Sequence, residues 1–218
     1  MLLLAAPISG CSELGGEPAI IQYPNRERPW DTIPAVTIAA RGNDSRVEAV
    51  FEAVDYWNTV LAGLGTPFRI GAVKRTEETV PTEYLEKMSA ALLTGRPLPQ
   101  PPEILRQIDA DVIVALSDGN FVPFSTAFRS GAKVLVGIRS DKGYPLNLAN
   151  VTRNVIAHEL GHVIGLGHNN DHTKLMCGRP ATCRPEEFRS SVASFFPLSE
   201  EEKTFLLKLY PASWRPAR

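Results

Sequence analysis

The chain has 218 residues, of which 44% are hydrophobic, and its formal net charge is −1. This length and apolar share fit one globular domain with a sizeable core. The balanced charge and the scattered basic residues give no electrostatic case for a nucleic-acid partner. No apolar run reaches the roughly 18 residues of a membrane-spanning helix, so we expect none in the printed sequence.

The segment 1–11, MLLLAAPISGC, is apolar and ends in a cysteine. Its last four residues, Ile8–Cys11, resemble the lipobox of bacterial lipoprotein signal peptides. The resemblance implies cleavage before Cys11 and lipidation of that cysteine. A frayed apolar N-terminus is the alternative, since the segment is short and lacks a positively charged start. Residues 12–30 are rich in Gly, Pro and charge and are predicted to be a linker.

The following residues predict strands that alternate with a long helix. Apolar residues in 44–64 recur at helical spacing, and Asp44 or Ser45 is expected to cap that helix. The segment 121–128 is a further candidate strand. Short apolar runs predict strands at 35–40, 67–74, 110–116 and 133–138.

Residues 81–108 interrupt this pattern between two strands. They contain a helical-looking stretch, 82–93, and the proline-rich sequence GRPLPQPP. We interpret them as an insertion, made of a surface helix and a stiff loop. The insertion could shape access to a site or bind a partner, and a surface excursion without a function is the alternative.

Three of the four histidines lie in residues 158–168, HELGHVIGLGH. His158 and His162 are four residues apart, so on a helix they share one face and can reach one metal ion. Glu159 borders that face, where its carboxylate could take a proton from a water at the metal without being a ligand. The preceding run, 151–157, contains no Gly or Pro and can carry the helix.

Gly165 and His168 extend the pattern beyond the helix. Gly165 can adopt the left-handed conformation that ends a helix, so the chain can turn back and bring His168 to the metal. Three neutral imidazoles would leave a fourth tetrahedral position for water, as in catalytic zinc sites. Solvated or packed histidines are the alternative for HELGH alone. Asn150 or Thr152 is expected to cap the start of the helix.

These eleven residues resemble the zinc signature of the metzincin metallopeptidases, H-E-x-x-H-x-x-G-x-x-H followed by a methionine turn. The chain looks matrixin-like. The resemblance implies an α+β zincin fold, with a mixed, mostly parallel twisted sheet, an active-site helix and a small C-terminal subdomain. It also implies Zn2+ as cofactor and a set of site residues: the ligands His158, His162 and His168, the general base Glu159, the turn residue Gly165, and Met176 beneath the metal.

The resemblance covers residues 31–212 as the catalytic domain, of which 169–212 would be the C-terminal subdomain. Near its end, PLSEEEKTFLLKLYP predicts a helix with Ser199 as N-cap, Glu202 three residues later and Pro211 at its close. In metzincins an edge strand beside the cleft pairs with extended substrate. The sequence does not decide which of the two runs around residue 130 is that edge.

The segment after Met176 departs from the family pattern. Some metzincins have a tyrosine where this chain has Gly178, which removes a tyrosine ligand or oxyanion helper from that position. Cys177 and Cys183 could form a small-loop disulfide in an oxidising compartment, and two free thiols are the alternative. His172 is expected to be solvated, and Asp171 could orient a ligand histidine.

The pattern as a whole predicts a zinc-dependent endopeptidase that acts on protein or peptide substrates, as a monomer. The N-terminus implies an extracytoplasmic protein, tethered to a membrane through Cys11 or otherwise secreted. The alternative function is a non-catalytic, zinc-containing, peptide-binding lipoprotein. An intact Glu159 favours the enzyme, because a binding protein has no need of a base there.

Overall fold

The computed structural model describes residues 29–128 and 133–217, so the lipobox at Ile8–Cys11 and nearly all of the predicted linker lie outside the described residues. The described strands are β1 (Val36–Ala39), β2 (Val73–Thr76), β3 (Val112–Leu116), β4 (Phe124–Ala127) and β5 (Val134–Ile138). They form one sheet in the order β2-β1-β3-β5-β4. Only β4 runs antiparallel to its neighbour. The mixed, mostly parallel sheet is therefore confirmed, and β4 rather than β5 lies at its edge.

Helices cover both faces of this sheet. The described helices are α1 (Arg46–Gly63), α2 (Thr82–Thr94), α3 (Glu103–Gln107), α4 (Ala149–Val163) and α5 (Glu200–Leu209). Apolar residues of α1, α4 and α5 form one core on the first face, and those of α2 and α3 form a second core on the other. All five residues of β3 are buried, as expected of a strand covered on both faces.

Residues 81–108 contribute to the core as well as to the surface. Tyr84, Leu85 and Met88 of α2 are buried in the second core, together with Leu105 of α3. Their apolar side chains cover the face of the sheet that α1 and α4 leave open. The insertion therefore completes the fold, and its loop bridges two helices that both pack on the sheet.

The second strand begins later than the sequence predicts, at residue 73 instead of 67. Phe68 and Ile70 are buried, but neither pairs with β1. The Asn58 side chain forms hydrogen bonds with both backbone groups of Ile70. Its Oδ1 accepts from the Ile70 N–H at 2.8 Å, and its Nδ2 donates to the Ile70 carbonyl at 3.0 Å. The Phe68 ring stacks on Tyr210 of the C-terminal region, with 3.8 Å between centroids. The apolar run thus fills the core without forming a ladder.

The predictions for the starts of α5 and α4 differ in outcome. The capping box of α5 is confirmed, because Ser199 Oγ accepts from the Glu202 N–H and the Glu202 carboxylate accepts from the Ser199 N–H. At α4 the cap position is Leu148. Asn150 instead donates to the Phe188 carbonyl, and Thr152 donates to the carbonyl of Leu146. Both side chains fasten α4 to neighbouring segments.

Aromatic residues from both ends of the described chain hold the C-terminal end of α4. The Trp30 indole N–H donates to the Val163 carbonyl at 2.9 Å, and the Tyr210 hydroxyl donates to the Ile164 carbonyl at 3.1 Å. The Trp214 indole N–H donates to the Trp30 carbonyl. These bonds satisfy carbonyl groups that a helix leaves unpaired at its end. None of the helices in residues 29–128 and 133–217 has the length and hydropathy needed to span a membrane.

Arg46 is a buried cation at the carboxyl ends of β3 and β5. Its guanidinium lies 2.6 Å from the Asp44 carboxylate and donates to the carbonyls of Ser117 at 2.8 Å and Arg139 at 2.7 Å. Its side chain is 3% exposed. Arg46 thereby joins the start of α1 to the two loops that follow the central strands.

Replacing Arg46 with alanine is expected to lower the free energy of unfolding by about 3 kcal/mol, because Asp44 and two strand-end carbonyls lose a common partner. Urea denaturation monitored by circular dichroism measures this change. Arg106→Ala is the matched control, since Arg106 forms an exposed ion pair with Glu103 and its loss should leave the midpoint unchanged. Equal midpoints for both variants would show that the buried cluster does not stabilise the fold.

Candidate metal centre

Two histidines of the centre project from adjacent turns of α4. His158 and His162 are each 8% exposed, and their Nε2 atoms lie 3.1 Å apart. The four-residue spacing places both rings on one face of the helix, as the sequence predicts. α4 packs against α1, so this pair is held on a rigid, buried element.

The third histidine comes from the segment after a sharp turn. α4 ends at Val163, and Gly165 follows with φ +107°, a conformation that favours glycine. The chain then turns back and places His168 Nε2 at 3.0 Å from the Nε2 atoms of both helix histidines. The structure therefore brings together the three histidines that the spacing singles out.

The three Nδ1 atoms lie next to backbone carbonyl oxygens. The pairs are His158 with Leu175 at 2.7 Å, His162 with Leu166 at 2.8 Å, and His168 with Arg179 at 2.8 Å. A carbonyl oxygen only accepts a hydrogen bond, so each Nδ1 carries the hydrogen and each Nε2 keeps its lone pair. Asp171 is not among these partners. Its carboxylate accepts from Thr173 instead, so the prediction that Asp171 orients a ligand is wrong.

This donor set fits a zinc ion. Three Nε2 lone pairs converge, and no Nε2 atom carries a hydrogen that could bond to another. A cation between them stabilises this arrangement. Nitrogen ligands roughly 2.0–2.1 Å from a tetrahedral zinc stand about 3.3 Å apart, close to the separations seen here. Burial lowers the pKa of His158 to about 3 and also lowers the pKa of His162 and His168. The imidazoles are therefore neutral, which is the form that binds metal.

Glu159 lies beside the histidines with its side chain buried, at 7% exposure. Burial raises the pKa of its carboxyl to about 8, and the Ser125 side chain opposes that rise. Ser125 belongs to the edge strand β4. Ser125 is not identifiable from the sequence, because nothing in the spacing of β4 indicates which residue faces α4.

A single cavity of about 510 Å³ connects these groups, within the usual size of ligand sites. Leu92 and Leu93 of α2 line it, together with residues 120–125. The segment that follows the third histidine contributes residues 177–179 and 183–186. The three histidines and Glu159 belong to the same lining. The insertion therefore contributes directly to the wall of the candidate site.

The profile of the matrixin family matches residues 42–192, which include the three histidines, Glu159 and the residues that line the cavity. The chain belongs to the matrixin family. It is accordingly a zinc metallopeptidase with a metzincin-type fold. His158, His162 and His168 are a group of side chains in this matrixin that could hold the ion.

Comparisons with individual proteins give more distant likenesses. An archaemetzincin structure from Methanopyrus kandleri is 19% identical, covers 82% of this chain and 96% of its own, and has a TM-score of 0.45. A zinc-dependent peptidase structure from Methanocorpusculum labreanum is 14% identical, covers 79% of this chain and 98% of its own, and has a TM-score of 0.38. No curated protein matches this matrixin.

Met176 of this matrixin is fully buried and packs against α4 between the two helix histidines. A Cβ atom at Gly161 would lie 2.5 Å from Met176 Sδ and 2.9 Å from Trp57 Cζ2. The Trp57 indole is itself fixed by a hydrogen bond to the Ala157 carbonyl. Glycine at position 161 thus permits the close contact between the methionine turn and the helix, a role that its place in the sequence does not indicate.

Gly161→Ala is expected to lower the free energy of unfolding by about 1–3 kcal/mol, because the added methyl group overpacks this contact. Gly63→Ala in α1 is the control, since nothing lies within 4 Å of the Cβ it would add. We expect that variant to be neutral or slightly more stable. Thermal unfolding of both variants checks the difference, and an unaltered melting temperature for Gly161→Ala would contradict the tight packing.

The structure also joins Cys177 to Cys183 by a disulfide, with 5.8 Å between their Cα atoms. Both cysteines line the cavity and are buried. His172 lies outside the cavity lining of this matrixin, with its side chain 47% exposed and 3.6 Å from the Glu187 carboxylate. It therefore takes no part in the group of three histidines.

Proposed function

We propose that this matrixin is an endopeptidase in which His158, His162 and His168 hold the zinc ion and Glu159 is the general base. One observation carries the proposal: the Glu159 carboxylate opens onto the same cavity as the three converging Nε2 atoms. A peptide carbonyl and a water molecule that enter this cavity meet a base and a metal site together.

The chain's own groups account for the proton transfers. Zinc, when bound, supplies a Lewis acid that polarises water and the peptide carbonyl. Glu159 accepts the proton of the attacking water and then donates it to the leaving amine nitrogen. The Ser125 side chain lowers the pKa of Glu159 against the effect of burial, which favours the ionised carboxylate that accepts the proton. The carbonyls of Leu175, Leu166 and Arg179 keep the three imidazoles in the tautomer that faces the metal.

The edge strand β4 provides a way to hold the substrate. β4 pairs only with β5 among the described strands, and we infer that an extended peptide adds to its other edge as a further strand. Residues 121–125, around the start of β4, line the cavity together with the metal centre. Main-chain pairing recognises internal segments of a polypeptide and needs no free terminus, which favours endopeptidase activity. Leu92 and Leu93 make the wall beyond β4 apolar.

Peptides with blocked termini test this proposal. We expect the zinc-loaded protein to cleave internally quenched peptides that are acetylated at the N-terminus and amidated at the C-terminus. Cleavage only of peptides with a free end would replace the endopeptidase by an exopeptidase. Saturable binding of peptide without any cleavage would support the zinc-containing binding protein instead.

The cellular location belongs to the same proposal. The segment at Ile8–Cys11 supports an extracytoplasmic enzyme that is anchored by a lipid on Cys11. Metabolic labelling with a fatty-acid analogue tests the anchor. Label that persists after Cys11→Ala would contradict it.

A further inference from the structure

The three histidines of the metal centre are not held equally. His158 and His162 belong to the buried helix α4, whereas His168 lies on the segment after the Gly165 turn. His168 is also the most accessible of the three. Its position therefore depends on the contacts of its own segment and is not fixed by helix geometry.

The contacts of His168 come from residues 177–179. Its Nδ1 donates to the Arg179 carbonyl at 2.8 Å, and the Gly178 backbone lies against the ring. A Cβ atom at Gly178 would stand 2.5 Å from His168 Nε2 and 2.6 Å from its Cγ. Any side chain at this position would enter the space of the ring, which explains the glycine where some metzincins have tyrosine.

Two backbone hydrogen bonds bring the same segments together. The Asn169 N–H donates to the Met176 carbonyl at 2.9 Å, and the Gly178 N–H donates to the Asn169 carbonyl at 3.2 Å. The residues after Gly178 are not part of this short backbone pairing. Arg179 and Pro180 are exposed, and no helix or strand includes residues 178–183.

The disulfide closes the segment that carries these contacts. Cys177 precedes Gly178, and Cys183 follows Arg179 by four residues, so the Arg179 carbonyl lies inside the loop that the Cys177–Cys183 bond completes. An exposed loop with one short backbone bridge samples many conformations once its covalent closure is lost. The carbonyl that orients His168 would move with it.

We propose that the Cys177–Cys183 disulfide is a positioning element of the metal centre, which holds the Arg179 carbonyl against His168 and thereby slows the release of zinc. The proposal rests on the proposed function, because it takes His168 as a zinc ligand. Opening the disulfide would weaken the third ligand and leave the helix pair in place. The metal affinity of the enzyme would then depend on the redox state of these two cysteines.

The double variant Cys177→Ser/Cys183→Ser tests this role in the full chain. Serine is the appropriate replacement, because reduced thiols would lie close enough to His172 to form a metal-binding group of their own. The readouts are the zinc dissociation constant and the rate of zinc transfer to a chromophoric chelator. We expect zinc affinity to fall by about 10–100-fold, the usual effect of losing the partner that orients a ligand. Thr182→Ala, an exposed change inside an intact loop, is the control and should bind zinc like the wild type.

Reversible reduction of the zinc-loaded His172→Ala variant, in which the reduced thiols lack the third member of that second group, gives a second measurement should the double variant fail to fold. A water-soluble phosphine delivers two electrons to the S–S bond, water supplies the two thiol protons and an oxygen atom, and phosphine oxide is the product. Zinc release should become faster on reduction and return to its first rate on reoxidation. Unchanged or slower release in the folded, reduced protein would overturn the proposal. A wild type that binds no zinc would instead overturn the proposed function.

Discussion

Replacing Glu159 with glutamine is expected to lower kcat/KM by about 10²–10⁴-fold, the contribution typical of a positioned general acid–base group. Glutamine preserves the shape of the side chain and its contact with β4 but cannot accept the proton of the attacking water. Zinc binding should remain intact, since the three Nε2 donors are untouched. Cleavage of a quenched peptide and zinc content measured on the same preparation test both statements.

Glu52→Gln is the control for this variant. Glu52 also carries a partly buried carboxylate beside α4, where it pairs with Arg153 at 2.7 Å, but it does not line the cavity. Its loss should leave kcat/KM unchanged. If the Glu159→Gln enzyme retained zinc together with wild-type activity, another group would have to supply the base.

His168→Ala should weaken zinc binding by more than about 100-fold. Losing a group that only orients a ligand costs up to about that much, and this variant removes the donor atom itself. The remaining pair, His158 and His162, is buried on one helix and keeps its geometry. Peptidase activity at limiting zinc should be lost in parallel. Competition with a chelator of known affinity measures the change.

His172→Ala provides the matched histidine control. This residue is exposed and lies outside the cavity lining, so its replacement should alter neither zinc affinity nor activity. Equal losses in the two variants would contradict the assignment of the ligands. An unaffected His168→Ala protein would place the metal elsewhere.

The local chemistry of the site could be predicted because its residues are close in sequence. The helix period aligns His158 with His162, and the conformational freedom of Gly165 permits the turn that returns His168. The capping box at Ser199 and Glu202 is likewise a local device, and it is confirmed. Each of these inferences depends only on residues within one or two turns of each other.

The features that could not be predicted from the sequence depend on contacts outside the element concerned. Ile70 is predicted to belong to a strand, but its backbone N–H and carbonyl bond to the Asn58 amide and not to β1. Asn150 and Thr152 are expected to be caps, but the Asn150 side chain donates to the distant Phe188 carbonyl and the Thr152 hydroxyl donates to the Leu146 carbonyl ahead of the helix. Polar side chains that bond to backbone groups outside their own helix override local preference in these cases.

The second core is the largest difference between expectation and structure. The helical stretch in residues 81–108 shows an apolar face, but the sequence does not indicate which surface that face covers. The topology decides it: α1 and α4 occupy one face of the sheet and leave the other for α2 and α3. The same packing brings Leu92 and Leu93 to the cavity lining. No sequence motif predicts this placement.

X-ray absorption at the zinc edge of the wild-type protein, loaded with one equivalent of zinc, tests the metal centre most directly. We predict a first shell of nitrogen and oxygen only, with the outer-shell scattering of three imidazole rings. Sulfur ligands at about 2.3 Å would contradict the account, because they would place the ion on Cys177 and Cys183 instead of on His158, His162 and His168.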